Sequence, residues 1–216
     1  MKILAIIPAR GGSKGIPRKN LRPLAGKPMI FFSIKACLGS DILDDVIVST
    51  DDEEIALLSE KFGARALLRP KKLADDVTTL DPVIEHAVSS YEALNGKAID
   101  IVVTIQPTSP LITSKDIDLV IETLLDKQAD TAQTVVDDRH LCWTLDEMGA
   151  KPTYKERVNR QSLPLNFKET GGVIACKREQ LKYGTRIGKN VSLVEIPKER
   201  SFDIDTYADL YLCESI

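Results

Sequence analysis

Short apolar runs alternate with amphipathic stretches along most of the chain. Residues 2–7 form a continuous apolar run stopped by Pro8, the pattern of a strand buried on both faces of a parallel sheet. Residues 28–38 then repeat at helical spacing, residues 45–49 predict a second strand, and the acidic run Asp51-Asp52-Glu53-Glu54 opens a helix through Phe62. Residues 64–68 predict a third strand. Asp81 followed by Pro82 predicts an N-cap with proline in the first helical position, and that helix runs to about Leu94. A strand over 99–105, a helix over 115–127 and a strand over 131–136 continue the rhythm. Such alternation predicts a three-layer α/β domain, with a mostly parallel sheet, helices on both faces and right-handed crossovers. Ligands are then expected at the carboxyl ends of the strands.

The rhythm breaks after Val136. Residues 138–167 carry Arg139, His140, Trp143, Arg157 and Arg160 with few helical signals, and predict an excursion of loops and short strands. The core pattern returns at 171–176 and 191–196, and a last helix starts at Thr206. We therefore expect one domain over 1–216, with an inserted subdomain over 138–170. The length of 216 residues is enough to bury a core without metals or disulfides.

Composition narrows the chemistry. The net charge of −3 argues against nucleic acid as a partner, since such binders carry a basic surplus. With two histidines and four dispersed cysteines, no zinc-ligand spacing exists. Scattered single cysteines read as reduced thiols and predict a cytoplasmic location. The first apolar run is interrupted by Pro8, so neither a secretory leader nor a membrane span is expected.

The first strand ends in Pro8-Ala9-Arg10-Gly11-Gly12-Ser13-Lys14-Gly15-Ile16-Pro17-Arg18-Lys19-Asn20. Glycines let backbone N–H groups turn toward an anion, lysine supplies a mobile point charge, and arginine supplies a bidentate fork. No acid occurs before Asp41, so this reads as an uncompensated basic loop suited to a triphosphate. It matches neither the Walker pattern nor the dinucleotide fingerprint. A flexible loop with solvated charges is the plainer alternative.

The segment resembles the N-terminal signature of the acylneuraminate cytidylyltransferases, the CMP-sialic acid synthetase family, whose pattern A-R-x-x-S-K-G-x-P-x-K-N is met in full. The resemblance continues through Ile47-Val48-Ser49-Thr50-Asp51, Leu68-Arg69-Pro70, Gln106-Pro107-Thr108-Ser109-Pro110-Leu111, Arg160-Gln161-Ser162-Leu163-Pro164 and Asp203-Ile204-Asp205-Thr206, in the family's order and approximate spacing. It implies a Rossmann-like nucleotidyltransferase sheet, and transfer of CMP from CTP to a nonulosonic acid with release of pyrophosphate. Nucleotide binding falls on Arg10, Gly11, Gly12, Ser13, Lys14, Lys19, Asn20, Arg69 and Thr79, with Arg10, Lys19 and Asp205 catalytic. The implied partners are CTP and an acidic nine-carbon sugar. The family also implies a homodimer formed through the excursion.

Asp203 and Asp205 lie on one face of an extended segment, which suits a hard cation such as Mg²⁺; capping of the following helix is the competing reading. The resemblance assigns both to metal. Between its prolines, the 106–111 loop exposes an amide and hydroxyls suited to a sugar, through Gln106, Thr108 and Ser109. Ser109 or Thr113 could also cap the next helix. Arg160 can clamp a carboxylate, and the family's counterpart touches the acidic sugar; Gln161 and Thr170 join it. His140 is a further candidate near the sugar. The Asp51–Glu54 acids read as a helix start complementing the macrodipole, with Asp51 as the cap.

The chain departs from the family at three places. It has Ile112 where Arg is common, Thr170-Gly171-Gly172 where Asn-Gly-Ala is usual, and Asp76-Val77-Thr78-Thr79-Leu80 where Asp-Thr-Ala-Ser-Ser is usual. A different sugar selectivity is the expected consequence. The rival readings are a synthetase for the eight-carbon acid Kdo, whose loop differs, and a nucleotide sensor without catalysis.

Overall fold

A computed structural model describes residues 1–216. Strand β1 (Ile3–Pro8) leads into the glycine loop, then a small hairpin of β2 (Pro23–Leu24) and β3 (Lys27–Pro28), and helix α1 (Ile30–Leu38). β4 (Asp45–Thr50), α2 (Glu53–Lys61), β5 (Arg65–Leu68), α3 (Leu80–Asn95), β6 (Ile101–Ile105), α4 (Ser114–Asp126) and β7 (Thr131–Asp137) follow. The excursion is a second hairpin of β8 (Trp143–Asp146) and β9 (Gly149–Pro152). The chain returns as β10 (Phe167–Lys177), β11 (Val191–Glu195) and α5 (Tyr207–Glu214).

The seven-stranded central sheet has the order β11-β7-β10-β6-β1-β4-β5. β1 pairs in parallel with β4 and β6, β4 with β5, and β11 with β7, while β10 runs antiparallel to β6 and β7. The sheet is thus mostly parallel, as expected. Side-chain alternation divides its strands between two cores. In β1, Ile3, Ala5 and Ile7 join α1, α2 and α4 on one face. Leu4 and Ile6 join Ile84, Ala87 and Val88 of α3 on the other. No helix is long and apolar enough to cross a membrane, and all four cysteines are free thiols.

A third, smaller cluster explains how distant loops meet. Ile16 of the glycine loop, Leu24 of β2, Met29, Ile204, and Leu210 and Cys213 of α5 pack together with at most 6% exposure. Ile204 stands between Asp203 and Asp205, so burying its side chain seats the carboxylate segment against the glycine loop. Burying such a side chain is worth roughly 1.5–3 kcal/mol.

Helix starts differ in detail from expectation. Asp52, not Asp51, caps α2, its side chain accepting from the N–H groups of Glu54 and Ile55. Asp81 does not cap α3: that helix begins two residues earlier than expected, at Leu80 after Thr79, and Asp81 accepts from Arg186 Nε at 2.6 Å. A long-range charge partner outcompetes the local cap at Asp81. At α4 and α5 the caps are Thr113 and Thr206, each in a capping box with Asp116 or Asp209. Asp205 therefore does not cap α5.

Candidate active site

The carboxyl ends of β1, β5 and β6 open into a cleft of about 410 Å³. It is lined by Arg10, Gly12, Ser13, Lys19 and Asn20, by the buried Arg69, by Gln106 and Thr108 after β6 and, at its solvent-exposed mouth, by Asp203 and Asp205. Residues separated by almost 200 positions converge because β1 and β6 are neighbours and the segment after β11 returns across their ends.

The glycine loop is held from within. Asn20, nearly buried, donates from Nδ2 to the Arg10 carbonyl at 2.9 Å. Gly15 is required by close approach, because a Cβ there would collide with the Asp205 carbonyl. Lys19, with only 12% of its side chain exposed, donates from Nζ to the Ile204 carbonyl at 2.6 Å and to Asp205 Oδ1 at 2.9 Å.

The loop is not uncompensated. Arg10 and Lys14 share the Asp76 carboxylate at 3.0 and 3.1 Å, Arg18 pairs with Asp52 and Glu54, and Lys19 pairs with Asp205. These acids come from loops distant in sequence. The two cations hold the Asp76 carboxyl below the ordinary carboxylate range, Lys14 contributing more than Arg10.

Arg69 is 7% exposed and its Nε has no hydrogen-bond partner; Nη1 makes only a long bond of 3.4 Å to the Ser49 carbonyl. Burial pulls its pKa below the ordinary arginine value, with Asp51 opposing and Arg10 adding to the fall. A buried guanidinium with a spare donor lining a cleft is suited to an acceptor group on a ligand.

Asp203 is pushed above the usual carboxylate range by desolvation, and the charge of Asp205 adds to this, while the Thr108 hydroxyl and Lys19 oppose it. A divalent cation between the two carboxylates would relieve that repulsion. No group of three or more His, Cys, Asp or Glu side chains is gathered for metal binding. Asp203 and Asp205 would by themselves offer carboxylate oxygens, a donor set compatible with Mg²⁺, which commonly takes one or two carboxylates and completes its shell with phosphate oxygens and water.

A second hollow of about 510 Å³ shares Asp203 with the cleft and is lined by Lys168, Glu169, Thr170, Gly171 and Lys198 among others. Beside it the β10–β7 register slips between Glu169 and Ile174, taking Thr170 to Val173 out of regular pairing with β7, while Val173 still pairs with Ile105 of β6. Thr170 is buried there, its Oγ1 within 2.7 Å of the Thr134 hydroxyl and also donating to the Thr134 carbonyl at 3.2 Å. Ile112 is buried against Gly172, where a Cβ would lie 2.6 Å from its Cδ1. The two departures at 112 and 170–172 are therefore one packing solution.

Other expected residues stand apart from the cleft. Thr78 lines it in place of Thr79, which precedes α3. Ser109 is 1% exposed with its hydroxyl unpartnered beneath the loop. Gly11 donates its N–H to Asp51 Oδ1 at 3.0 Å. Arg160 lines a neighbouring hollow with Asp137, Glu195 and Lys198, and the Gln161 carbonyl accepts from Arg139. His140 pairs with Asp138 at 3.1 Å. His140 borders a hollow of about 660 Å³ lined by residues of the excursion itself; we assign chemistry to the smaller cleft because phosphate-type cations and paired carboxylates meet there. Sequence reasoning missed Asp75, whose carbonyl accepts from Arg10 at 2.8 Å, and Lys168 and Lys198. Proximity in sequence gave no signal for them.

A family model described as cytidylyltransferase matches residues 4–184. The pseudaminic acid cytidylyltransferase of Campylobacter jejuni is 46% identical over 118 residues, 54% of this chain and 50% of its own length. The N-acylneuraminate cytidylyltransferase of Escherichia coli is 32% identical over 226 residues, 100% of this chain and 52% of its own length. The chain thus spans about half the length of these two relatives. A solved structure of CMP:2-keto-3-deoxy-manno-octonic acid synthetase complexed with CTP shares the fold, with a TM-score of 0.75 over 100% of this chain and 98% of that one at 18% identity.

Proposed function

The chain belongs to the cytidylyltransferase family, and from that premise we propose that it transfers CMP from CTP to the anomeric hydroxyl of a nonulosonic acid, releasing pyrophosphate. The observation that carries this reading is the meeting of Arg10, Lys19 and Arg69 with Asp203 and Asp205 in one cleft, beside neutral hydrogen-bonding groups on Gln106 and Thr108. Cations suit the triphosphate, paired carboxylates suit a hard metal, and the hollow beyond Asp203 offers Lys168 and Lys198 to an acidic sugar.

In this reading Arg10 and Lys19 exchange their carboxylate partners for the triphosphate. The sugar hydroxyl oxygen attacks the α-phosphorus, the bond from that phosphorus to the bridging oxygen breaks, pyrophosphate leaves and the hydroxyl proton is released. Arg10 and Lys19 stabilise charge that grows on the phosphate oxygens, so their work is electrostatic and positional. Asp203 and Asp205 would hold Mg²⁺, and the ion would supply neutralisation of phosphate charge and acidification of the attacking hydroxyl. Gln106 and Thr108 orient the sugar.

The protein acts as a C2 homodimer in the cytoplasm. Support for the dimer is the excursion's apolar exposure: Trp143, Leu145 and Met148 are 60%, 82% and 85% exposed. In such a dimer the excursion reaches over the partner's cleft and carries Arg160 and Gln161 toward the sugar acid.

The test is pyrophosphate release over a panel of nucleoside triphosphates and sugar acids. Pseudaminic acid comes first, followed by N-acetylneuraminic and legionaminic acids and Kdo. CTP with one nine-carbon acid should far exceed every other pairing. Comparable rates with UTP would defeat the cytidylyl reading, and preference for Kdo would defeat the nine-carbon reading.

A further inference from the structure

The segment that delivers Asp203 and Asp205 has no regular secondary structure, yet it must hold two like charges at the mouth of the cleft. It is tied at two points. Beyond Asp203, the Ile204 N–H donates to the Thr108 carbonyl at 2.8 Å, and the Ile204 side chain is fully buried. Before Asp203, Arg200 forks onto Asp116, donating from Nε at 3.1 Å and from Nη2 at 2.8 Å. Asp116 is 3% exposed and also accepts from the N–H and hydroxyl of Thr113 at 2.9 and 2.7 Å in the α4 capping box. One tie ends on the connection between β6 and α4, which also carries Gln106, and the other on the first turn of α4 that this connection enters. The carboxylate segment and the proposed sugar loop are thereby fixed to one frame.

We propose that Arg200, forked on the buried Asp116, is a positioning residue that sets the carboxylates of Asp203 and Asp205 for metal–nucleotide binding. This rests on the metal reading of those two aspartates. A planar guanidinium on two carboxylate oxygens fixes orientation as well as distance, which a lysine at the same place cannot do. Groups that orient ligand-bearing residues characteristically change metal affinity by roughly 10–100-fold when removed.

The experiment measures Mn²⁺ binding in the presence of CTP by electron spin resonance, on wild type, Arg200→Lys, Arg200→Ala, Asp116→Asn and Asp205→Asn. Each is held well below its own melting temperature, and CTP binding is measured in parallel with metal chelated. The expected result is Mn²⁺ affinity weakened roughly 10–100-fold in the Arg200 and Asp116 variants, with metal-free CTP binding unchanged. Arg200→Lys keeps the charge and a partly exposed position, so it decides the matter should Arg200→Ala fail to fold. Wild-type Mn²⁺ affinity in Arg200→Lys and Asp116→Asn, alongside loss in Asp205→Asn, would overturn the positioning role and leave the metal reading intact. Equal Mn²⁺ affinity in wild type and Asp205→Asn would overturn the metal reading itself.

Discussion

The cleft and the excursion carry similar residue types to opposite ends. In the cleft, Arg10, Lys19 and Arg69 stand on loops pinned to a parallel sheet, and each is restrained by buried neighbours or backbone acceptors. In the excursion, Arg139, His140 and Arg160 stand on the irregular segments that flank a hairpin, whose apolar side chains face solvent. A sheet edge organises charge without help from another molecule. A hairpin with exposed Trp143, Leu145 and Met148 does not, and in the proposed dimer the partner supplies the missing surface.

The widest separation between the regions should come from Lys19→Ala. Losing a preorganised cation at the developing charge should cost about 10²–10³ in kcat, about 2.7–4 kcal/mol, in steady-state pyrophosphate release. A near-normal rate would make the glycine loop a solvated surface and erase the contrast.

Packing behind the cleft gives the next effect. In Gly172→Ala the new methyl meets Ile112, so unfolding in denaturant should show a loss of about 1–3 kcal/mol from overpacking. Combining it with Ile112→Val should restore part of that loss. Equal destabilisation with and without the second change would disconnect the two positions.

Arg160→Lys tests the excursion. Charge stays and the fork is lost, so KM for the sugar acid should rise about tenfold, about 1.4 kcal/mol, while KM for CTP holds. A rise in the CTP value instead would assign Arg160 to the nucleotide.

The smallest effect concerns acid stability and compares two aspartates. In Asp116, burial pushes the carboxyl up but Arg200 and Thr113 outweigh it, so the folded value lies below the ordinary one. In Asp137, Arg139 holds the carboxyl down to about 2. A lowered folded pKa stabilises above the unfolded value, and the gain disappears as pH falls through the folded one. Asp116→Asn should cost on the order of 1 kcal/mol at neutral pH and flatten the acid limb of a stability–pH curve. Asp137→Asn, whose partner Arg139 lies two residues away and stays near it in the unfolded chain, should change the curve's neutral plateau less than Asp116→Asn does. Identical curves for all three proteins would show that neither pair is linked to folding.

What the sequence made legible follows the same division. The glycine loop could be read because its residues are consecutive, and β1, β4 and β6 because continuous apolar runs announce buried parallel strands. Partners could not be read where the sheet order chooses them. Asp76 beneath Arg10 and Lys14, Asp81 on Arg186, and Asp116 on Arg200 all join loops separated by at least 60 residues. Asp81 was expected to cap a helix because local chemistry favours it; the remote guanidinium took it instead. The register slip at Thr170–Val173 has no composition signal beyond its two glycines, so the second hollow and its lysines emerged only with the register.

The central claim is that the carboxylates at the cleft mouth serve chemistry. Asp205→Asn tests it most directly, because Thr206 rather than Asp205 caps the following helix and the Asp205 side chain is 73% exposed. The account predicts an unfolding free energy within about 0.5 kcal/mol of wild type. It also predicts pyrophosphate release from CTP and the sugar acid reduced by about 10² or more, as expected for removal of a group acting on the transition state. Wild-type turnover in this variant at limiting Mg²⁺ would contradict it.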